Sequence, residues 1–273
     1  MPSRPPGAPG AASGASGGAP VPGPGGYFTR ERWATTSWGL GDVAVGFVLA
    51  EVGGGLLAAL LLLATGYTAD NIPLWLDYVA EVPLWIFLIG VPVVATRLKG
   101  DGPVADLGLR MRWVDVPIGI VVGVLGQQVL VGLVYWPIFK VIGHSVDVGQ
   151  VAQNLTDKAH GVGGEVLIFA LVALGAPIAE EIFFRGLTQR ALLKKEGLAH
   201  WNPWFAIVAT AAFFAASHFE PVQFPALFVF GLVLGLLAWR SGRLGPSIWA
   251  HLSFNAVAAA TLVWHLNLPS FTP

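Results

Sequence analysis

Two adjacent carboxylates and a guanidinium stand in an otherwise apolar stretch, Ala179-Glu180-Glu181-Ile182-Phe183-Phe184-Arg185. Each such group costs at least about 2.5 kcal/mol at the centre of a membrane helix, so their presence there points to function. Spacing divides their roles. Glu181 and Arg185 are four apart and share a helix face, where a charge-assisted pair neutralises both and keeps Glu181 ionised. Glu180 points about 100° away from Glu181 and about 140° from Arg185 at 3.6 residues per turn. It is the freer carboxylate, suited to act as a general base. Two further segments carry matching groups: Phe214-Ala215-Ala216-Ser217-His218 sets an aromatic ring and an imidazole four apart, and His251-Leu252-Ser253-Phe254-Asn255 does the same with an imidazole and a carboxamide. A base, two imidazoles and an amide donor are the groups needed to activate a water and to stabilise an oxyanion.

The chain that must position them has 273 residues, 55% hydrophobic and 11% charged, with a mean hydropathy of +0.67. That is the composition of a polytopic membrane protein. Fifteen Lys and Arg against 16 Asp and Glu leave a net charge of -1, too little for a polyanion-binding field, so no nucleic-acid partner is expected. With no Cys, disulfides, thiolate zinc sites and cysteine nucleophiles are excluded. Hydrolytic chemistry must come from Ser, His, Asp, Glu or a metal that they hold.

The expected fold class is all-α: a membrane bundle of about seven transmembrane helices behind a disordered tail. Residues 1–26 contain eight Gly and seven Pro, a composition that cannot offset its ordering entropy, and no apolar stretch of signal-peptide kind follows the start. Stretches near the length of about 20 apolar residues that a span requires fall at 40–65, 77–96, 116–139, 164–190, 203–218, 223–240 and 246–265. The fifth and sixth are short and joined by Phe219-Glu220-Pro221-Val222, which suggests a hairpin that turns within the protein. Three divisions follow: the tail (1–26), three N-terminal membrane helices with their loops (27–160), and a catalytic unit of helices four to seven (161–265). With the N-terminus inside, twelve basic residues fall on the inner side, and only Lys140 and Lys158 on the outer. Trp38, Trp75, Trp113, Trp201 and Trp204 lie near helix ends, as an interfacial belt requires. Counting along these helices at about 1.5 Å per residue puts Glu180 and His251 about 6 to 8 Å from the inner face and His218 about 20 Å or more from it, so one shared site needs tilt or a sunken hairpin.

Other polar residues at membrane depth read as packing groups. Asp42, Glu51, Glu81, Gln127 and Gln128 have no chemical neighbour in sequence and are assigned interhelical hydrogen bonding or snorkelling. Gly119 with Gly123 and Gly231 with Gly235 are spacings that permit close helix approach, with no functional implication. Gly39-Leu40-Gly41-Asp42 matches the string of intramembrane aspartyl proteases, but no helix precedes it to supply the second aspartate. The GxSG string Gly14-Ala15-Ser16-Gly17 falls in the Gly- and Pro-rich tail instead of on an apolar helix, so a rhomboid-like serine site is not expected, and no HExxH zinc helix occurs.

Glu180-Glu181-x-x-x-Arg185, Phe214-x-x-x-His218 and His251-x-x-x-Asn255, in that order on successive helices, resemble the three motifs of the CPBP (Abi) family of type II CAAX prenyl endopeptidases and bacteriocin-processing enzymes. All seven motif positions match, and the resemblance covers residues 160 to about 262. It implies a membrane-embedded endopeptidase in which Glu180 activates water and His218, His251 and Asn255 complete the centre. The implied partners are the lipid bilayer and a peptide or lipidated-protein substrate. The implied setting is a prokaryotic plasma membrane, with the N-terminus cytoplasmic. Two alternatives stay open. Family members are often called metalloproteases, and a divalent metal such as zinc would fall to Glu180, His218 and His251, whereas without one His218 assists Glu180 while His251 and Asn255 hold the oxyanion. A non-catalytic immunity or scaffold protein on the same fold is the other.

Overall fold

The computed structural model describes residues 36–68, 71–144, 153–154, 158–159, 161–194 and 203–264. The Gly- and Pro-rich tail and Trp201 lie outside them. Eight helices are laid out here in chain order. They are α1 (Leu40–Thr65), α2 (Leu74–Lys99), the short α3 (Pro103–Asp106), α4 (Asp115–Ile142), α5 (Gly161–Lys194), α6 (Pro203–Ala216), α7 (Phe224–Ser241) and α8 (Gly245–Val263). No strand occurs among the described residues. The chain is an all-α integral membrane protein.

All seven expected stretches are helical, but five helices, α1, α2, α4, α5 and α7, are long and apolar enough to cross a membrane. The 14 residues of α6 reach about 21 Å, short of a hydrocarbon core of about 30 Å. The 19 residues of α8 are long enough, yet Ser247, His251, Ser253 and Asn255 dilute their hydropathy.

Local sequence explains the boundaries. Pro225 and Pro246 sit in the first turns of α7 and α8, where a missing N–H costs nothing. Gly242, at φ 68°, ends α7 in a left-handed turn. Asp42 caps α1 by accepting a hydrogen bond from the Gly39 N–H at 2.9 Å and pairs with Lys99 at 2.5 Å, so the aspartyl-protease string is a helix cap. Between α6 and α7 the chain turns through Phe219, at φ 54°, and Tyr135 of α4 donates to the Val222 carbonyl at 2.5 Å.

The main apolar core gathers Trp38, Leu107, Phe183, Phe184, Leu187, Phe214 and Leu244, joined by rings packed edge to face between α1, α5 and α6. Trp38 is therefore not an interfacial tryptophan: it is 1% exposed beneath the Lys194 ammonium, 3.8 Å from its ring, while Trp75, Trp113 and Trp204 stand open. At the same end Arg190 donates to the carbonyls of Asp106 and Gly242, and Arg243 grips Asp115 through two nitrogens.

Four helical segments wind as π-helix: Leu49–Gly54 in α1, Gly126–Leu130 in α4, and Phe169–Gly175 and Glu181–Thr188 in α5. Such segments are rare and gather at functional sites. The glycine seams are close backbone approaches. A Cβ on Gly123 would strike the Ala250 carbonyl and the Phe254 amide of α8, and one on Gly119 would strike Trp249. Gly123→Ala should therefore lower stability by about 1–3 kcal/mol, the range for overpacking. Gly90→Ala, where nothing lies within 4 Å, should not lower it. Thermal unfolding of the two variants in detergent checks this.

Candidate active site

The site grows from α5, whose second π segment begins at Glu181. Arg185 is 1% exposed, and its Nη1 donates to Glu181 Oε1 at 2.9 Å, both side chains fully out of solvent. Its Nη2 donates to the Gly231 carbonyl of α7 at 3.2 Å, and its guanidinium lies 4.4 Å over the Phe214 ring of α6. One turn on, Gln189 repeats the pattern by donating to the Gly235 carbonyl at 3.0 Å. The Gly231 and Gly235 spacing thus does more than let helices approach, since it bares two carbonyls to side chains of α5.

The Glu181 carboxylate has a second task. Its Oε1 also accepts a hydrogen bond from Nδ1 of His251 on α8, at 3.1 Å. This bond fixes the ring, leaving Nε2 to face Glu180, whose Oε2 is 3.7 Å away. Glu180 is the freer carboxylate: its side chain is 17% exposed against 0% for Glu181. A turn further along α8, the Asn255 amide donates to the Val172 carbonyl at 2.9 Å, within the first π segment of α5. That bond commits one amide hydrogen and aims the other.

His218 follows the last turn of α6. Its Nδ1 donates to the Phe214 carbonyl at 2.7 Å, so Nε2 is the acceptor. The buried Phe214 ring touches both imidazoles, its centroid 4.8 Å from His218 and 5.6 Å from His251, edge to face with each. Glu180, His218, His251 and Asn255 line one cavity of about 340 Å³ with Val172, Gln127 and Gln223.

The structure thus brings together all six residues singled out by type and spacing: four on the cavity wall, and Glu181 and Arg185 behind it. The depth discrepancy closes for Glu180 because α5 runs on to Lys194, while His251 still lies six residues, about 9 Å, from the start of α8. Glu180 then lies fourteen residues, about 21 Å, from the Lys194 end, on the scale that places His218 deep. Gln127 was read as packing, yet it stands in the π segment of α4 and lines the cavity. Glu51 and Glu81, read the same way, lie within electrostatic reach of His218 and Glu180 respectively. An isolated polar group on an apolar helix was the signal available for each, and it does not say which way the group points.

Among the described residues, no three His, Asp or Glu side chains stand together as a metal-holding set. Glu180 and His251 are near enough to share an ion, but with no third such side chain in their set they do not make up the three protein ligands of a catalytic zinc site.

An intramembrane carboxylate with an oriented imidazole and a carboxamide on one small cavity supplies the groups that hydrolysis would require. Residues 162–257 match the family model Rce1-like, described as type II CAAX prenyl endopeptidase Rce1-like, which is consistent with the CPBP family. The match spans 96 of the chain's 273 residues, those that carry the three motifs. No curated protein and no solved structure matches the chain.

The ion pair carries a stability consequence. Glu181→Ala strands a buried guanidinium and should cost about 3 to 5 kcal/mol, the range for a broken buried pair. Glu180→Gln, on the cavity wall, should leave the fold nearly unchanged. Chemical denaturation of both variants in detergent tests this, and an unaltered Glu181→Ala midpoint would remove the structural role assigned to Glu181.

Proposed function

We propose that the chain is a membrane-embedded endopeptidase that hydrolyses a membrane-tethered or membrane-proximal peptide, free or lipidated, with Glu180 as the base. One observation carries this reading: Glu180, His218, His251 and Asn255 reach one cavity from three segments of chain, with His251 oriented by the Glu181–Arg185 pair. Glu180 takes a proton from a water as its oxygen adds to the scissile carbonyl carbon. In its charged form His251 presents an Nε2–H beside the Asn255 amide, and together they hold the oxyanion. The C–N bond then breaks, and the proton passes from Glu180 by way of His218 Nε2 to the departing amine. The scheme draws on no metal, since no three His, Asp or Glu side chains gather as a ligand set among the described residues.

The bias of basic residues toward one side supports a cytoplasmic N-terminus; the prokaryotic plasma membrane in this proposal rests on the motif resemblance alone. Glu180→Gln should abolish cleavage, so comparative membrane proteomics of cells carrying this variant or wild type should show peptides left unprocessed in the variant alone. Identical peptide inventories would sink the hydrolase reading. Cleavage should also survive exhaustive chelation. Loss to chelator and recovery with Zn²⁺, with stoichiometric zinc in purified protein that vanishes in His218→Ala and His251→Ala, would overturn the metal-free centre but not the protease.

A further inference from the structure

The cavity reaches well past the groups that do chemistry. Along α8 its wall runs from His251 through Asn255 and Ala258 to Leu262, eleven residues and so about 16 Å of helix. A peptide extended at about 3.4 Å per residue covers that length with about five residues. Leu227, Phe254 and Leu262 make much of the wall apolar, yet the carboxamides of Gln127 and Gln223 open onto it. Their places follow from the helices that bear them. α4 and α8 run in the same direction, since a Cβ on Gly119 would strike Trp249 while one on Gly123 or Gly126 would strike Phe254. Gln127 therefore lies near the level of Asn255 to Ala258. Gln223 lies further out: Tyr135, about two turns past Gln127 on α4, donates to the carbonyl of Val222 beside it. Among the described residues no hydrogen bond reaches either carboxamide, and both are half-buried. Interhelical bonding, the use expected of Gln127 from the sequence, is thus not made.

We propose that Gln127 and Gln223 are substrate-binding residues that hydrogen-bond backbone amides of an extended apolar peptide lying along α8, and so set its register against Glu180 and His251. The inference deepens the endopeptidase reading and rests on it for its purpose. A carboxamide offers a donor and an acceptor in one plane, as a peptide group does, so each can pair with an amide whatever side chain that residue carries. The apolar wall then receives every second side chain of the extended segment. A helical segment is refused, because its amides already pair with one another. The substrate class this defines is an unwound run of about five apolar residues.

The test uses acetyl-Leu-Ala-Leu-Ala-Leu-amide with a terminal fluorophore, its binding to full-length Glu180→Gln protein in detergent followed by fluorescence anisotropy. Saturable binding is expected, weakened about tenfold by Gln127→Leu and by Gln223→Leu, the effect of one lost hydrogen bond. Neither variant should melt lower, since leucine leaves no polar group unmet. Replacing each backbone N–H of the peptide in turn by an ester oxygen should find one position at which Gln127→Leu costs nothing further, and a different one for Gln223→Leu. No saturable binding, or binding that neither variant weakens, overturns the proposal. So does a variant effect that is the same for every ester, which would mark a change of shape instead of a lost hydrogen bond. If a variant fails to fold, the ester series on its parent decides, and the absence of any position with a tenfold loss overturns the assignment. With Glu180 intact, a peptide that binds but is not cleaved sinks the hydrolase reading and leaves this one, whereas cleavage undiminished in Gln127→Leu and Gln223→Leu does the reverse.

Discussion

A guanidinium buried at membrane depth must be neutralised and must have its donors met by fixed groups, and Arg185 achieves this by reaching three helices at once. Glu181 on its own helix supplies the charge, the Gly231 carbonyl of α7 supplies an acceptor, and the Phe214 ring of α6 supplies a π face. Through the Glu181 oxygen that Arg185 shares with His251, the same group reaches α8. The orientation of the imidazole beside Glu180 thus descends from a requirement of solvation. A buried pair of this kind adds little net stability over an apolar replacement. What it gives is one arrangement of α5 against α6, α7 and α8.

Much of this was legible in the sequence. The four-residue spacing of Glu181 and Arg185 is a local property, and local geometry survives folding, so their pairing and the relative freedom of Glu180 could be read directly. Depth in the membrane was not legible, because it depends on where a helix ends, and α5 continues to Lys194 through residues whose composition gives no stop. Facing was legible only in part. Gln127 and Glu51 each stand in a π segment, where the 3.6-residue period used to assign faces no longer holds. Trp38 was misplaced for another reason: nothing in the first helix announces that Lys194, far along the chain, closes over its ring.

The N-terminal helices contribute more than a frame. Gln127 and Val131 of α4 supply part of the cavity wall, and the close seam of Gly119 and Gly123 against α8 fixes where His251 and Asn255 stand along it. Trp85 of α2 presses on the backbone of α5 at Gly175, between the Val172 carbonyl that Asn255 binds and the glutamates. The cavity is therefore shared between the segment that matches the family model and the helices before it. That division suits a common chemistry with a variable fit to substrate.

The π segment Phe169–Gly175 sets the angular offset between the first half of α5 and the glutamates that follow. Loss of one residue there would restore an ordinary α-helical ladder at the cost of turning the preceding half of the helix by about 100° and drawing it in by about 1.5 Å. Val172 would leave the reach of Asn255, while every side chain named in the three motifs remained in the sequence. Chain length between 169 and 175 is thus as much a part of the site as residue identity, and a homologous chain with all seven motif residues but one residue fewer in this interval would not assemble the same cavity.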